Sequence, residues 1–259
     1  MQNEGFILSD PVLYDVADGI ATITLNRPEK LNALNKAAVA ELFTAWQRFE
    51  QDREALVAVF TGAGDRALCV GRDLSEPTHG EFKLQSFPII GLSVEVTKPT
   101  IAAVNGMALG GGFLFAQMCD LCIAADHASF SIPEARLGRG AAWAAQLSAL
   151  LPPRVVMQML VTGLPMTATR MYELGFVNEV VPRAELQAHA RTIAGAIAAN
   201  APLSVRACRK MVRTFYTPQA MPLDPTSAEA LFAHVYLSED AREGQLAFQQ
   251  KRKPVWQAR

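Results

Sequence analysis

The alternation of hydrophobic and polar residues predicts strands and a helix in the first part of the chain. Residues 19–26, GIATITLN, alternate apolar and polar positions as a half-buried strand does. Residues 35–50 instead repeat large apolar side chains at helical spacing, which predicts an amphipathic helix. Further short strands are expected at LVAVFTG, TIAAV, LCIAA and ASFSI. Strands that alternate with helices indicate a parallel or mixed sheet built from right-handed crossovers.

A long uncharged stretch, residues 99–119, is expected to lie in a protein core. Its length alone would suit a membrane helix. Pro99, Asn105 and four glycines interrupt it, however, which favours a strand, a loop and a second apolar segment that forms a helix. No membrane span is therefore predicted.

Past about Pro152 the pattern becomes mainly helical. The segments RVVMQMLVTG, MTATRMYELG and RAELQAHARTIAGAIAAN follow a helical period, with Pro and Gly where helices would end. Residues 232–256 are expected to form a final pair of helices with a basic end, KRKPVWQAR. The pattern thus predicts an α/β body followed by a helical tail.

Composition and charge narrow the class of protein. Hydrophobic residues make up 50% of the 259 residues and charged residues 19%, as in an ordinary folded protein. The formal net charge of -1 gives no sign of a nucleic-acid surface, so no nucleic-acid partner is expected. The first residues, MQNEGFILSD, lack the basic and apolar regions of a secretory signal. A cytoplasmic location is therefore expected.

The cysteines and histidines indicate neither a disulfide framework nor a metal centre. The cysteines are Cys69, Cys119, Cys122 and Cys208. Cys119 and Cys122 form a C-x-x-C in an apolar run, which suits either buried structural thiols or, less well, a redox or metal pair. No second cysteine pair or nearby histidine completes a zinc site, and the four histidines have no ligand spacing. No metal and no redox cofactor are expected.

Two glycine-containing turns are candidates for anion binding. Gly110 to Gly112 precede an apolar helix, and such a turn leaves backbone N–H groups facing whatever lies before the helix. The segment GMALGGGF is neither a P-loop nor a dinucleotide fingerprint, so an oxyanion formed during a reaction is the alternative ligand. The turn CVGRDL around Arg72 follows another buried strand. Either turn by itself favours a simple tight turn over an oxyanion hole.

Several segments together resemble the enoyl-CoA hydratase/isomerase family, the crotonase superfamily. They occur in the family's order from about residue 20 to 254 and are NRPEKLNALN, FTGAGDRALCVGRDLSE, KPTIAAVNGMALGGGFLFAQMCDLCIAAD, ASFSIPEARLG, GFVNEVV and SEDAREGQLAFQQKRKP. The resemblance implies a crotonase-like spiral of β-β-α units over residues 1–200, which binds acyl-CoA. It implies a C-terminal helical region over residues 201–259 that assembles homo-trimers, often paired into hexamers.

The resemblance also implies which residues carry the chemistry. The oxyanion donors fall on the backbone N–H groups of Arg72 and Gly111, and a catalytic glutamate falls on Glu134. Where hydratases of the family have a first glutamate, this chain has Leu114, which can neither activate water nor donate a proton. This pattern is similar to the single-glutamate Δ3,Δ2-enoyl-CoA isomerases. Hydration stays open, because the hydroxycinnamoyl-CoA hydratase-lyases also lack the first glutamate. A third alternative that stays open is a protein that binds acyl-CoA without catalysis.

Other residues are expected to contact the coenzyme A part of the substrate, which is the one cofactor-like group implied. By resemblance these are Arg66, Phe232, Phe248 and Lys251, although the phenylalanines also suit a helix core and Lys251 a solvated end. Trp143 stands where relatives commonly have a Pro- and Gly-rich loop. It either narrows the acyl pocket or belongs to the core.

Overall fold

The computed structural model describes most of the chain. The described residues are 10–76, 84–137, 140–216, 238–240, 243, 246–247 and 250–259. Within them, ten strands form two sheets.

The larger sheet has six strands and the smaller has four. The larger contains, in spatial order, β1 (Val12–Ala17), β2 (Ile20–Leu25), β3 (Val57–Gly62), β5 (Thr100–Val104), β7 (Leu121–Ala125) and β10 (Glu179–Val181). The smaller contains β4 (Ala67–Cys69), β6 (Met107–Leu109), β8 (Ser129–Ser131) and β9 (Met166–Thr167). Neighbouring strands are parallel except for the antiparallel pairs β1–β2 and β8–β9.

The order of the strands shows a spiral. The consecutive pairs β3–β4, β5–β6 and β7–β8 each place one strand in the larger sheet and the next in the smaller sheet. Each turn of the chain therefore stacks on the turn before it, and both sheets grow in the same order. The predicted α/β spiral of β-β-α units is confirmed.

Over residues 10–216, apart from the undescribed gaps, six α-helices cover and connect these strands. They are α1 (Lys36–Gln51), α2 (Gly111–Met118), α3 (Pro153–Thr162), α4 (Ala168–Glu173), α5 (Leu186–Ala198) and α6 (Pro202–Tyr216). The predicted amphipathic helix is α1, which begins after Asn35, whose side chain accepts the N–H of Ala38 at 2.8 Å. Its Trp46 is fully buried and packs on Phe60 of β3, with ring centroids 5.7 Å apart.

The mainly helical pattern past Pro152 misses two strands. β9 and β10 both lie in this part of the chain and extend the two sheets by one strand each. They have two and three residues, which is too short for an alternating pattern to be visible in the sequence. Their position is set by pairing with β8 and β7 and not by local preference.

A charged cluster fixes α6 to the larger sheet. The two carboxylate oxygens of Asp120 accept the Nε–H groups of Arg209 and Arg213 at 2.7 and 2.8 Å. Oδ2 of Asp120 also accepts the backbone N–H of Thr100 at the start of β5, at 2.8 Å. The side chain of Arg209 is 9% exposed, so this carboxylate compensates a charge that is largely removed from water.

We expect Asp120→Asn to lower the free energy of unfolding by about 2 kcal/mol, because removing one partner leaves a buried cation uncompensated. Urea denaturation of the two proteins measures this difference. Glu173→Gln is the matched control, since Arg170 and Glu173 form an ion pair whose side chains are both 53% exposed. Its effect is expected to stay below about 0.5 kcal/mol. An equal loss in both variants would contradict a special role for Asp120.

The last residues return to the body without forming a helix. The carboxylate of Asp240 accepts the backbone N–H groups of Gln257 and Ala258, and the indole N–H of Trp256 donates to the carbonyl of Ala199 at 2.8 Å. The prediction of a helix continuing to Trp256 is therefore wrong for residues 253–256, which form no regular element because these contacts hold the tail against the end of α5 and Asp240. The division at residues 200 and 201 lies between α5 and α6, and the trimerisation role given to residues 201–259 stays a prediction.

Candidate active site

The two glycine turns lie directly against each other. Gly71 follows β4 with a φ of 89°, and Gly110 precedes α2 with a φ of 52°. A β-carbon on Gly71 would lie 3.3 Å from the backbone nitrogen of Gly111, and one on Gly111 would lie 3.4 Å from the α-carbon of Gly71. The backbones of the two turns thus approach more closely than side chains would allow, with φ values that favour glycine.

Among the described residues, the N–H groups of Arg72 and Gly111 have no acceptor and can therefore bind a ligand. In the bridge between Leu34 and Arg72, the N–H of Leu34 donates to Gly71 and the N–H of Asp73 donates to Leu34. In a parallel bridge of this kind, the N–H of Arg72 itself points away from the segment that contains Leu34. Gly111 is the first residue of α2, so its N–H has no partner within the helix. Within the described ranges, neither group donates a hydrogen bond.

An ion pair fixes the turn that carries Arg72. Arg27 lies 3.0 Å from the carboxylate of Asp73, and its guanidinium also donates to the carbonyl of Ala33 at 2.6 Å. The hydrogen bond from Ser75, together with Arg27, holds the pKa of Asp73 below its usual value. Arg27 belongs to the NRPEK segment, whose role was not evident from the sequence. The structure shows that it anchors Asp73, the neighbour of Arg72.

Glu134 lies beside the second glycine turn. It belongs to a short 3-10 helix, Pro133–Leu137, that follows β8. A β-carbon on Gly110 would lie 3.2 Å from its Oε1 atom. The indole N–H of Trp143 donates to the same Oε1 at 2.9 Å, while Oε2 is buried and has no hydrogen-bond partner in the described part of the chain. Burial raises the pKa of Glu134, and the hydrogen bond from Trp143 opposes that rise.

Leu114 occupies the position one turn of α2 beyond Gly111. Its N–H donates to the carbonyl of Gly110 at 3.0 Å, and its side chain is 3% exposed. α2 carries no carboxylate at all. The structure therefore brings Arg72, Gly111 and Glu134 together, as the sequence predicts, with an apolar side chain where a second carboxylate would stand.

Of the four residues predicted to contact coenzyme A, the structure describes Arg66 and Lys251. Arg66 is exposed and donates to the carbonyl of Pro28 at 2.8 Å, at the end of β4 opposite to Gly71. Lys251 is exposed in the C-terminal tail. Phe232 and Phe248 lie outside the described residues. The coenzyme A role of all four stays a prediction.

The cysteines favour the structural interpretation of the C-x-x-C. Burial raises the pKa of Cys119 to about 12, and Cys122 is also buried with a raised pKa. Thiols held protonated in this way are poor nucleophiles and metal ligands. In the described ranges, no three His, Cys, Asp or Glu side chains are grouped to hold a metal ion, and no helix is long and apolar enough to cross a membrane. The cytoplasmic location stays a prediction.

A separate cavity of about 760 Å³ lies between α6 and residues 90–97. Its α6 wall is basic and includes Arg206, Lys210 and Arg213. Neither Glu134 nor the glycine turns line it. The site is therefore identified by its converging polar groups and not by the volume of a cavity.

In the described structure, two backbone N–H groups without an acceptor lie beside one buried carboxylate, an arrangement suited to stabilising an oxyanion while a proton moves. Residues 15–259 match the family model described as enoyl-CoA hydratase/isomerase, and the chain belongs to this family. This confirms the resemblance found in the sequence.

Individual relatives support the same grouping. The chain is 38% identical over 250 residues to carnitinyl-CoA dehydratase from Proteus mirabilis, covering 93% of this chain and 95% of the relative. It is 38% identical over 253 residues to carnitinyl-CoA dehydratase from Escherichia coli K12, with the same coverage. Among solved structures, an enoyl-CoA hydratase/isomerase from Mycobacterium paratuberculosis superposes with a TM-score of 0.86 at 34% identity, over 96% of this chain and 99% of that one.

Proposed function

We propose that this protein is an enzyme that acts on an acyl-CoA thioester by moving a proton next to the thioester carbonyl. The N–H groups of Arg72 and Gly111 would donate to the carbonyl oxygen, and Glu134 would carry the proton. The observation that supports this most directly is the contact between the two glycine turns, with the carboxylate of Glu134 beside one of them. Family membership supports the choice of an acyl-CoA substrate.

The chemistry follows from where charge develops. When Glu134 takes the proton from the carbon next to the carbonyl, the electron pair of that C–H bond moves toward the carbonyl oxygen and forms an enolate. Two fixed N–H groups stabilise that oxygen more in the enolate than in the thioester, since its negative charge is larger there. The N-terminal end of α2 adds favourable potential because Gly111 is its first residue.

Isomerisation is the reaction we favour. With Leu114 in place of a second carboxylate, Glu134 can remove a proton from C2 of a 3-enoyl-CoA and return it to C4, which shifts the double bond without water. One group that alternates between base and acid is sufficient for this sequence. The raised pKa of Glu134 suits both roles, because it brings the two protonation states closer in free energy at neutral pH.

Elimination or addition of water is the second candidate, and the relatives named carnitinyl-CoA dehydratase favour it. In that reaction Glu134 would take the proton at C2 of a 3-hydroxyacyl-CoA and give it to the departing hydroxyl group, which leaves as water. The oxyanion donors would act in the same way. The two candidates differ in where the proton is delivered: to C4 in isomerisation, or to the hydroxyl group whose bond to C3 breaks as the C2–C3 double bond forms in elimination.

The test incubates the protein with 3-enoyl-CoA and, separately, with 2-enoyl-CoA in deuterium oxide. The products are analysed by mass spectrometry and chromatography. We expect 3-enoyl-CoA to be converted to 2-enoyl-CoA, with no water adduct formed from 2-enoyl-CoA. Formation of the water adduct would instead establish a hydratase or dehydratase. If no substrate changes and no deuterium enters, while acyl-CoA still binds, the protein is a non-catalytic binder and the proposal is wrong.

Two accompanying features are part of the proposal. Arg66 and Lys251 would bind the phosphates of coenzyme A, as exposed cations can. The chain would assemble as a homo-trimer or as a hexamer of two trimers. Sedimentation equilibrium would distinguish these two assemblies from a monomer.

A further inference from the structure

We propose that Trp143 is a positioning residue that holds Oε1 of Glu134 and leaves Oε2 as the oxygen that carries the proton. This rests on the proposed role of Glu134 in proton transfer. The core packing of Trp143 expected as one alternative from the sequence is present, since the residue is 5% exposed and packs on Phe113, and to this the proposal adds a role in orienting the carboxylate.

The first support is the difference between the two carboxylate oxygens. Oε1 accepts the indole N–H of Trp143 at 2.9 Å, whereas Oε2 is buried without a partner in the described part of the chain. An indole N–H only donates, so it stabilises the lone pairs of Oε1 and makes that atom the poorer place for a proton. A buried carboxylate oxygen with no partner is costly unless a ligand supplies one. Proton exchange with a substrate therefore falls to Oε2.

The second support is the rigidity of the indole. Trp143 is 5% exposed, and its ring meets that of Phe113 edge-on, with centroids 5.8 Å apart. Phe113 belongs to α2 and also packs on Phe130 and Phe176, at 5.4 and 5.1 Å. The group that orients Glu134 and the helix that begins with Gly111 are thus joined by one aromatic cluster. Such coupling keeps the carboxylate and the oxyanion donor in a fixed relation.

The third support is that, among the described residues, no nearby charged side chain holds the carboxylate of Glu134. α2 and the segment 142–149 that contains Trp143 carry no charged residues. Arg136 on the same short helix and Arg154 on α3 are both exposed, and Arg72 across the glycine turns is half-buried. None of these three forms an ion pair with Glu134 in the described structure. The indole is therefore the group that orients this carboxylate.

Trp143→Phe tests the role, since it removes the N–H and keeps an aromatic ring against Phe113. We expect kcat to fall about tenfold, as for loss of a hydrogen bond to a charged group, with KM changed less than about twofold. The acid limb of the pH–rate profile should move to higher pH, because the lost bond favours the ionised carboxylate. A variant with unchanged kcat and an unchanged profile would overturn the proposal.

Trp46→Phe is the matched control. Trp46 is also fully buried, but its indole N–H has no hydrogen-bond partner among the described residues. Both variants lose similar packing, so a lower melting temperature is expected in both and a shifted pH profile only in Trp143→Phe. An equal shift in the control would show that the effect is general destabilisation, and would overturn the proposal.

A second measurement applies if Trp143→Phe does not fold. The chain has three tryptophans, so its isotope-labelled indole N–H groups give three NMR signals, assigned by Trp46→Phe and Trp256→Phe. We expect the chemical shift of the remaining signal, that of Trp143, to change with pH at the midpoint of the acid limb. In Glu134→Gln this change should be absent. A signal that does not titrate overturns the proposal for Trp143 alone. Full turnover by Glu134→Gln would instead overturn the proposed function and, with it, this inference.

Discussion

Glu134→Gln is expected to reduce turnover and exchange of the substrate's α-proton by about 10² to 10⁴-fold, the usual contribution of one acid–base group. The amide has almost the same shape, and its oxygen still accepts the indole N–H of Trp143, so the fold and acyl-CoA binding should be retained. What is lost is the ability to take up and return a proton. Steady-state kinetics and deuterium exchange, with acyl-CoA binding measured by calorimetry, test this expectation.

The pH dependence gives the same prediction a second readout. Burial raises the pKa of Glu134 above its ordinary value of 4.5, and a base must be ionised to act. Activity should therefore fall as the pH is lowered through a value above 4.5, and this limb should be absent from any residual activity of Glu134→Gln. Glu173→Gln, an exposed carboxylate changed in the same way, should behave as the unmodified protein. Comparable losses in both variants would contradict the assignment.

Gly112→Ala is expected to have the largest effect on stability, about 3 kcal/mol, with activity lost in whatever protein folds. A β-carbon at Gly112 would overlap the carbonyl group of Cys69, approaching its carbon to 2.7 Å. Because the overlapped atoms belong to the backbone of β4 and not to a flexible side chain, the start of α2 must move away from β4. That movement separates the N–H group of Gly111 from that of Arg72, so the two proposed donors no longer lie side by side.

Gly195→Ala is the control for this substitution. Gly195 lies within α5, and a β-carbon there would meet no atom within 4 Å. Alanine is the better helix former, so this variant should be more stable by up to about 1 kcal/mol. Thermal and urea denaturation of both variants give the comparison. Similar stability of Gly112→Ala and the unmodified protein would mean that the close approach of α2 to β4 is not required.

The elements with a clear local pattern were predictable. The alternation of GIATITLN and the spacing of Trp46 and Phe49 indicated β2 and α1 nearly to their ends, because each has one face in the core and one outside it. β9 and β10 were not predictable, since strands of two or three residues exist only through pairing with strands far away in the chain. The local preference of residues for strand or helix does not indicate such distant pairing partners.

The site was predictable in part. The positions of Arg72, Gly111 and Glu134 followed from the resemblance, whereas the glycines by themselves indicated no more than a tight turn or an anion site. The hydrogen bond from Trp143 and the ion pair between Arg27 and Asp73 were not predictable, because each joins segments whose distance in space the sequence pattern leaves open. Residue type alone is no guide to such bonds, since the buried indole N–H of Trp46 has no acceptor among the described residues while that of Trp143 donates to Glu134.

The proposed oxyanion donors belong to the peptide backbone, and this bears on how such a protein changes during evolution. A substitution at position 72 alters a side chain but leaves the N–H in place, as the half-buried arginine there illustrates. Mutation can therefore exchange the groups around the donors, including residues 114, 134 and 143, while the means of stabilising an enolate is inherited unchanged. New reactions on the same class of thioester become accessible by single side-chain steps, without passing through a form that has lost its shared chemistry.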